Sequence, residues 1–377
     1  SEPTKLETTE NYGEDEEEGE AEAWGWGDEG NITTPQPTPS APRSSVDPNR
    51  NAKMIQPTTK EVTLREKYTV TGIPDGILEL INQIFDDART LFSPDFAIPA
   101  IVPAAMGLAS IPTLLLAMYR ATASTYYAPD VAGQMLVYND AVHLSGELKK
   151  LLSTVPTDHP LSRRLRSLDA DISSLGQFSR RAYGREMDSQ RTILSDILSS
   201  TSGFVNSTAP LNARRYAVDV QDAVNRVHDI NHVWNGVLSD SVRLQSLGSL
   251  TGTLVKQIIS DILERADDTV GISQEQSKTL KSFCDKVAEL ADLFEEPDSG
   301  DASREKQSLV HIYTPSWFRF KYLGEILDAS LADIRYLWTE GELGLEFGAD
   351  EAIDLIQALF ADSTYRRDAI RDIRKPL

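Results

Sequence analysis

The sequence reads as an all-α chain, an elongated helical rod of consecutive bundles preceded by a disordered acidic arm. Apolar residues recur at helical spacing almost everywhere from Pro74 onward. Runs that alternate apolar and polar residues are short and few. Acidic residues and prolines crowd into the first sixty positions, where no such spacing exists.

Residues 1 to 31 hold twelve acidic side chains and one basic one, Lys5, and so carry minus 11 of the chain's formal minus 21. From Ile32 to Lys60, prolines 35, 37, 39, 42, 48 and 57 stand among Ser, Thr and Asn. Such a stretch buries too little apolar area to offset its chain entropy. Residues 1–60 are therefore expected to be an arm without regular structure. Pro39 and Pro42 have the spacing of an SH3 ligand, although a plain linker with six prolines produces it as readily.

The first helical stripe runs through Ile77, Leu78, Ile81, Ile84, Phe85, Ala88 and Leu91, and Ser93-Pro94 stops it. Phe96 to Tyr119 is 24 residues without a charge, interrupted by Pro99, Pro103 and Pro112, and is expected to be a buried helix or helix pair. Direct membrane insertion is not expected. After the breakers Pro156 and Pro160 a second stripe takes in Leu161, Leu165, Leu168, Ile172, Leu175 and Phe178. A third runs from Leu244 to Ile262, and Gly248-x-x-x-Gly252 within it marks close helix packing. Ser273 and Gln276 have capping-box spacing ahead of Leu280, Phe283, Val287, Leu290 and Phe294. Phe320, Leu323, Leu327, Ile334 and Trp338 form one further stripe, and Ile353, Ile356, Leu359 and Phe360 the last. A loop is expected from Glu295 to Lys306. The Gly, Ser, Thr and Pro cluster from Ser199 to Pro210 divides two bundles, 61–205 and 206–377.

Composition excludes several functions. A net charge of minus 21 repels polyanions and anionic membranes alike, so nucleic acid is not an expected partner. At 40% hydrophobic residues the chain is not disordered throughout. Cys284 is the only cysteine, which rules out an intramolecular disulfide and a cysteine zinc cluster and fits a reducing, cytosolic compartment. The sequons at Asn31 and Asn206 matter only in a secreted protein. A start at Ser1 without an initiator Met suggests a piece cut from a longer chain.

Candidate chemistry is sparse. Gly25-Trp26-Gly27-Asp28-Glu29-Gly30 has G-x-G-x-x-G spacing, but no strand precedes it, no helix follows, and Asp28 and Glu29 would repel phosphates. His228 and His232 stand four apart without the Glu that follows the first His in metalloproteases, so they read as solvated helix residues. Cys284 has no neighbouring base and reads as a packed thiol. Without a convergent nucleophile, base or metal cluster, no catalytic activity and no cofactor is expected. Seven arginines and four acids lie between Arg163 and Arg191, either a docking face for an acidic partner or a solvated helix face.

Trp24 and Trp26 differ from all of these, because two of five tryptophans sit in the least hydrophobic stretch. A big apolar side chain gains roughly 1.5–3 kcal/mol on burial, which an unfolded arm cannot realise alone. The pair reads as a linear motif whose indoles fill pockets on a partner while carboxylates meet a basic rim.

The chain resembles the C-terminal half of the Zeste-White-ten family, which contains the Dsl-type vesicle-tethering subunit. Leu280-Lys281-Ser282-Phe283-Cys284 is similar to the family's Leu- and Cys-bearing helix. Ile312-Tyr313-Thr314-Pro315-Ser316-Trp317, then Phe320-Lys321, resembles its Val-Tyr-Val-Pro-Lys-Trp segment followed by Phe-Lys. Leu327-Asp328-Ala329-Ser330-Leu331, Trp338, Ala358-Leu359-Phe360 and Arg366-Arg367 continue in the same order. Similarity from Tyr68 to about Leu152 is weaker.

The resemblance implies a helical-rod tether subunit, cytoplasmic and peripheral on the endoplasmic reticulum, acting in Golgi-to-ER retrograde transport with ER SNAREs. It implies that Trp24 and Trp26 match the W-x-W motif of an acidic arm, the lasso, that captures the delta subunit of the COPI coat. The C-terminal end, Tyr313 to Leu377 with Arg366 and Arg367, would dock the helical-solenoid tether subunit. The family's N-terminal region, which pairs with a sister tether subunit, has no counterpart in this sequence. Animal relatives also serve at kinetochores with Rod and Zwilch, which is the alternative reading.

Overall fold

The computed structural model describes residues 4–10, 64–91, 101–154, 168–199, 210–267, 271–295 and 308–375. It is an all-α protein, with helices α1 (Gly72–Leu91), α2 (Ile101–Leu108), α3 (Ile111–Tyr126), α4 (Gly133–Ser153), α5 (Leu168–Ser199), α6 (Pro210–Trp234) and α7 (Asp240–Asp267). There follow α8 (Gln274–Ala288), a 3-10 turn (Glu289–Phe294), α9 (Val310–Tyr313), α10 (Trp317–Asp328), α11 (Leu331–Thr339), α12 (Leu343–Glu346), α13 (Ala349–Leu359) and α14 (Thr364–Ile373). Strands β1 (Thr4–Glu10) and β2 (Leu64–Val70) form a two-stranded sheet. β1 falls where no regular structure was expected, and its three threonines are the β-branched residues that suit a strand.

Helices α1, α3, α4 and α5 form the first bundle, α4 packing on α5 and α1, and α3 on both α1 and α5. Ile81, Phe85, Leu116, Leu144, Leu148 and Leu175 are among its buried core residues. α5 then continues into contact with α6 and α7. Tyr183 Oη meets Ser246 Oγ at 2.8 Å, and Arg226 Nη2 donates to Gln190 Oε1 at 2.7 Å. Lys67–Leu377 consequently cluster as one compact unit. The division expected at 205–206 lies between α5 and α6, two helices that pack on each other. A 32-residue α5 that buries Ile172 and Leu175 at one end and Leu194 and Leu198 at the other serves both sets of helices.

The end of β2 and the residue after it are sewn in by polar side chains. Thr69 donates its backbone N–H to the Val237 carbonyl at 2.9 Å and its hydroxyl to the Gly236 carbonyl at 2.6 Å. Gly236 has φ +76°, the left-handed conformation that a turn needs and glycine supplies freely. Asn139 of α4 donates to the carbonyls of Thr69 and Val237 at 2.9 and 2.7 Å. Next to it, fully buried Asp140 accepts from the Thr71 backbone N–H at 2.8 Å, the Thr71 hydroxyl and the Tyr127 hydroxyl.

Burial raises the Asp140 carboxyl above its ordinary value, against the opposing pull of its bonds from Thr71 and Tyr127. A raised folded-state value means that folding takes up a proton. This group's contribution is present below the unfolded value and is lost as pH rises through the raised one. Asp140→Ala leaves the buried Tyr127 hydroxyl and two part-buried Thr71 donors without this acceptor and should cost about 2 kcal/mol in chemical denaturation. Asp140→Asn keeps an acceptor and should flatten that part of the pH dependence of the melt. A melt profile for Asn identical in shape to the wild type would disprove the assignment.

The capping box forms as expected, with the Gln276 N–H 3.3 Å from Ser273 Oγ and the Ser273 N–H 2.8 Å from Gln276 Oε1. The expected single stripe from Phe320 to Trp338 is instead two helices. Ser330 adopts an extended conformation (ψ 160°) and caps α11 through a second box with Asp333, which breaks the run after Asp328.

The uncharged run also departs from expectation. It is a helix pair, α2 and α3, but only 22% of its most apolar window is buried. Among the described residues, Ile101–Tyr126 is long and apolar enough to cross a membrane by length and composition alone.

Candidate binding surfaces

Trp24 and Trp26 lie outside the described residues, as do the glycine-rich spacing around them, Pro39 and Pro42, both sequons, Arg163, Arg164 and Arg166, and most of the 295–306 and 199–210 segments. The remaining candidates are placed.

The C-terminal segment is built on close approaches. α9 and the following Thr314 cross α7 directly over Gly248, and the buried Thr314 hydroxyl donates to the Gly248 carbonyl at 3.2 Å. A Cβ on Gly248 would stand 2.4 Å from the Tyr313 carbonyl oxygen, whereas one on Gly252 would meet only Thr314 Cγ2 at 3.9 Å. Phe294 stacks beside Tyr313 at 6.0 Å between centroids, and Trp317 and Phe320 are buried beneath. The Ile312–Trp317 motif is thus the wedge that joins α7 to α10.

Arg366 and Arg367 separate in role. The Arg366 guanidinium folds back to donate from Nη1 to the Phe360 and Gln357 carbonyls at 2.7 and 3.3 Å, the open C-terminal carbonyls of α13. Its side chain is 20% exposed and also pairs with Asp362 at 3.2 Å. Arg367, 69% exposed, forms a forked pair with Asp362 at 2.6 and 3.1 Å. The Arg367 pair holds the Asp362 carboxyl below the usual range. Arg366 is therefore a helix cap inside the fold, and of the two only Arg367 stands exposed at the surface.

A charge reversal at Arg366 should cost about 1 kcal/mol of stability through its lost carbonyl bonds. Arg367→Glu should leave the melting temperature unchanged, so it is the variant that reads docking without a folding defect. Equal melting temperatures for the two variants would contradict this division.

Around these residues the segment exposes large apolar side chains: Phe318, Tyr336, Leu345 and Tyr365. Sequence spacing did not single them out, because an exposed aromatic between charged helix neighbours looks the same as one facing a core.

His228 and His232 are both exposed on α6. Among the described residues, no group of three or more His, Cys, Asp or Glu could hold a metal ion. Cys284 is buried against α10, where a Cβ on Gly324 would meet its own Cβ at 3.4 Å, and burial pushes its thiol up to about 12. It is a packing residue.

Residues 218–373, from α6 through α14, match the ZW10 C-terminal helical domain. The centromere/kinetochore protein zw10 homolog of Mus musculus is 29% identical over 192 residues, which are 50% of this chain and 24% of that protein. The centromere/kinetochore protein zw10 of Drosophila pseudoobscura pseudoobscura is 26% identical over 247 residues, 60% of this chain and 32% of the relative. That of Drosophila melanogaster is 27% identical over 215 residues, 56% and 27% respectively. The chain thus spans about a quarter to a third of the relatives it matches. The motifs from Leu280 to Arg367 all fall inside the matched domain, and the helices that carry them are present in order. Over residues 218–373 the chain is thus similar to the ZW10 C-terminal helical domain, and through that part to the zw10 proteins.

Proposed function

We propose that this chain is a non-enzymatic scaffold, the tether subunit of an ER-associated complex in Golgi-to-ER retrograde transport. Trp24 and Trp26 capture the delta subunit of the COPI coat. The C-terminal bundle, with Arg367 at its surface, docks the helical-solenoid tether subunit, and ER SNAREs join through the complex. The observation that carries this reading is a Trp-Gly-Trp pair inside a minus 11 segment, attached to a ZW10-family helical body. An acidic aromatic segment of this kind is suited to pockets with a basic rim, not to a core of its own. The site of action is cytoplasmic, on the reticulum surface.

The similarity to centromere/kinetochore proteins supports a second reading, a kinetochore scaffold, for which the family resemblance implies Rod and Zwilch counterparts as partners. Imaging of the full-length protein through the cell cycle separates the two. A tether stays reticular while spindles form, and a kinetochore scaffold concentrates at chromosomes.

A further inference from the structure

Helix α3 is apolar on both sides, yet only one side is covered. Pro112, Leu116, Tyr119 and Ala123 face the bundle core. The opposite side, through Leu114, Met118, Ala121 and Thr125, is exposed, with Leu114 and Met118 each 62% accessible. Arg120 is the only charged residue between Ile111 and Tyr126, and it is not on that side. The solvent face of a surface helix is ordinarily charged, and an uncharged one marks a surface that something covers.

The flank supplied by α5 says what covers it. α3 and α5 run side by side in the same direction, Thr113 donating to Asp171 Oδ2 at 2.7 Å and the Tyr119 ring standing edge-on to Phe178 at 6.0 Å. Arg181 and Arg185 follow Phe178 at three and seven positions and so continue along the α3 side of α5. Both are exposed, and among the described residues neither is ion-paired. The nearby acids are already engaged, Glu186 by Gln190 at 2.8 Å and Asp188 by Arg191 at 3.2 Å.

We propose that the outer face of α3 docks an amphipathic helix of a partner protein. The partner's apolar stripe covers Leu114 and Met118, and its carboxylates align with Arg181 and Arg185. A second copy of this chain is a poorer fit, because α3 carries no acidic residue to offer the arginines. An anionic lipid surface is a poorer fit too, because α1, which also packs on α3, exposes Glu79, Asp86 and Asp87.

The test titrates the whole chain against a labelled synthetic helix of about eighteen residues, five turns, with leucines along one stripe and glutamates beside it. A matched helix with lysines in place of the glutamates is the control. The glutamate helix should bind about tenfold or more tightly than the lysine helix. Arg181→Glu with Arg185→Glu should reverse that preference. Leu114→Gln with Met118→Gln, at exposed positions and with helicity unchanged by circular dichroism, should weaken the glutamate helix by about tenfold or more. An unreversed preference, or a glutamine pair that binds as the wild type does, overturns the proposal. So does binding to phosphatidylserine vesicles, or self-association in sedimentation, that the glutamine pair abolishes while helix binding is absent.

Discussion

Alanine in place of both Trp24 and Trp26 should abolish binding of the chain to the COPI delta subunit while leaving helicity and the melting temperature unchanged. Each indole that acts as an interface hot spot costs about 2 kcal/mol or more on truncation, roughly a thirtyfold loss of affinity. Gly25 between them keeps the spacing short and unobstructed, so that two adjacent pockets are filled from one peptide. The surrounding carboxylates should act mainly on association rate and salt dependence, because charges at a wet rim are screened within about a Debye length of 10 Å at 0.1 M salt. Titrating a peptide of residues 10–32 against the isolated delta-subunit domain measures this directly. Equal affinities for wild-type and double-alanine peptides would remove the motif from the account and leave vesicle capture resting on family resemblance alone.

The largest effect on stability is expected at Gly248. An alanine Cβ there would stand 2.4 Å from the carbonyl oxygen and 2.5 Å from the Cβ of Tyr313. Neither atom can yield without moving the backbone of α9 or unseating Thr314 from its bond to the Gly248 carbonyl. Overpacking of this kind should cost about 3 kcal/mol. Gly252→Ala meets nothing closer than 3.9 Å and replaces a helix-interior glycine, so it should be neutral or stabilising by up to about 1 kcal/mol. Denaturant titrations of the two variants should therefore diverge in opposite directions from the wild type. Two equal shifts would show that the α7–α9 crossing is looser than drawn.

Much of the architecture was readable in the spacing of Ile81, Phe85, Leu254, Ile258, Phe283 and Ile356, each of which is buried where its stripe placed it. The Ser273–Gln276 box was readable as well, because both halves of it lie within one turn. What escaped depends on which neighbour a helix finds. α5 buries residues toward two sets of helices, so a break in composition at 199–210 suggested a boundary where packing continues. Gly248 and Gly252 look alike in sequence, and only the path of Tyr313 over the first makes it irreplaceable. The uncharged run through α3 suggested a buried helix pair, but not that one side of α3 would stay exposed. Arg366 looked like surface charge until the end of α13 brought its open carbonyls within reach.

Affinity capture of the full-length protein from cytosol, followed by mass spectrometry and repeated with the Trp24 and Trp26 alanine variant, tests the tethering account most directly. Tethering predicts coatomer and ER SNAREs with the wild type, and loss of coatomer alone with the variant. Recovery of Rod and Zwilch counterparts with no coatomer in either sample would contradict it.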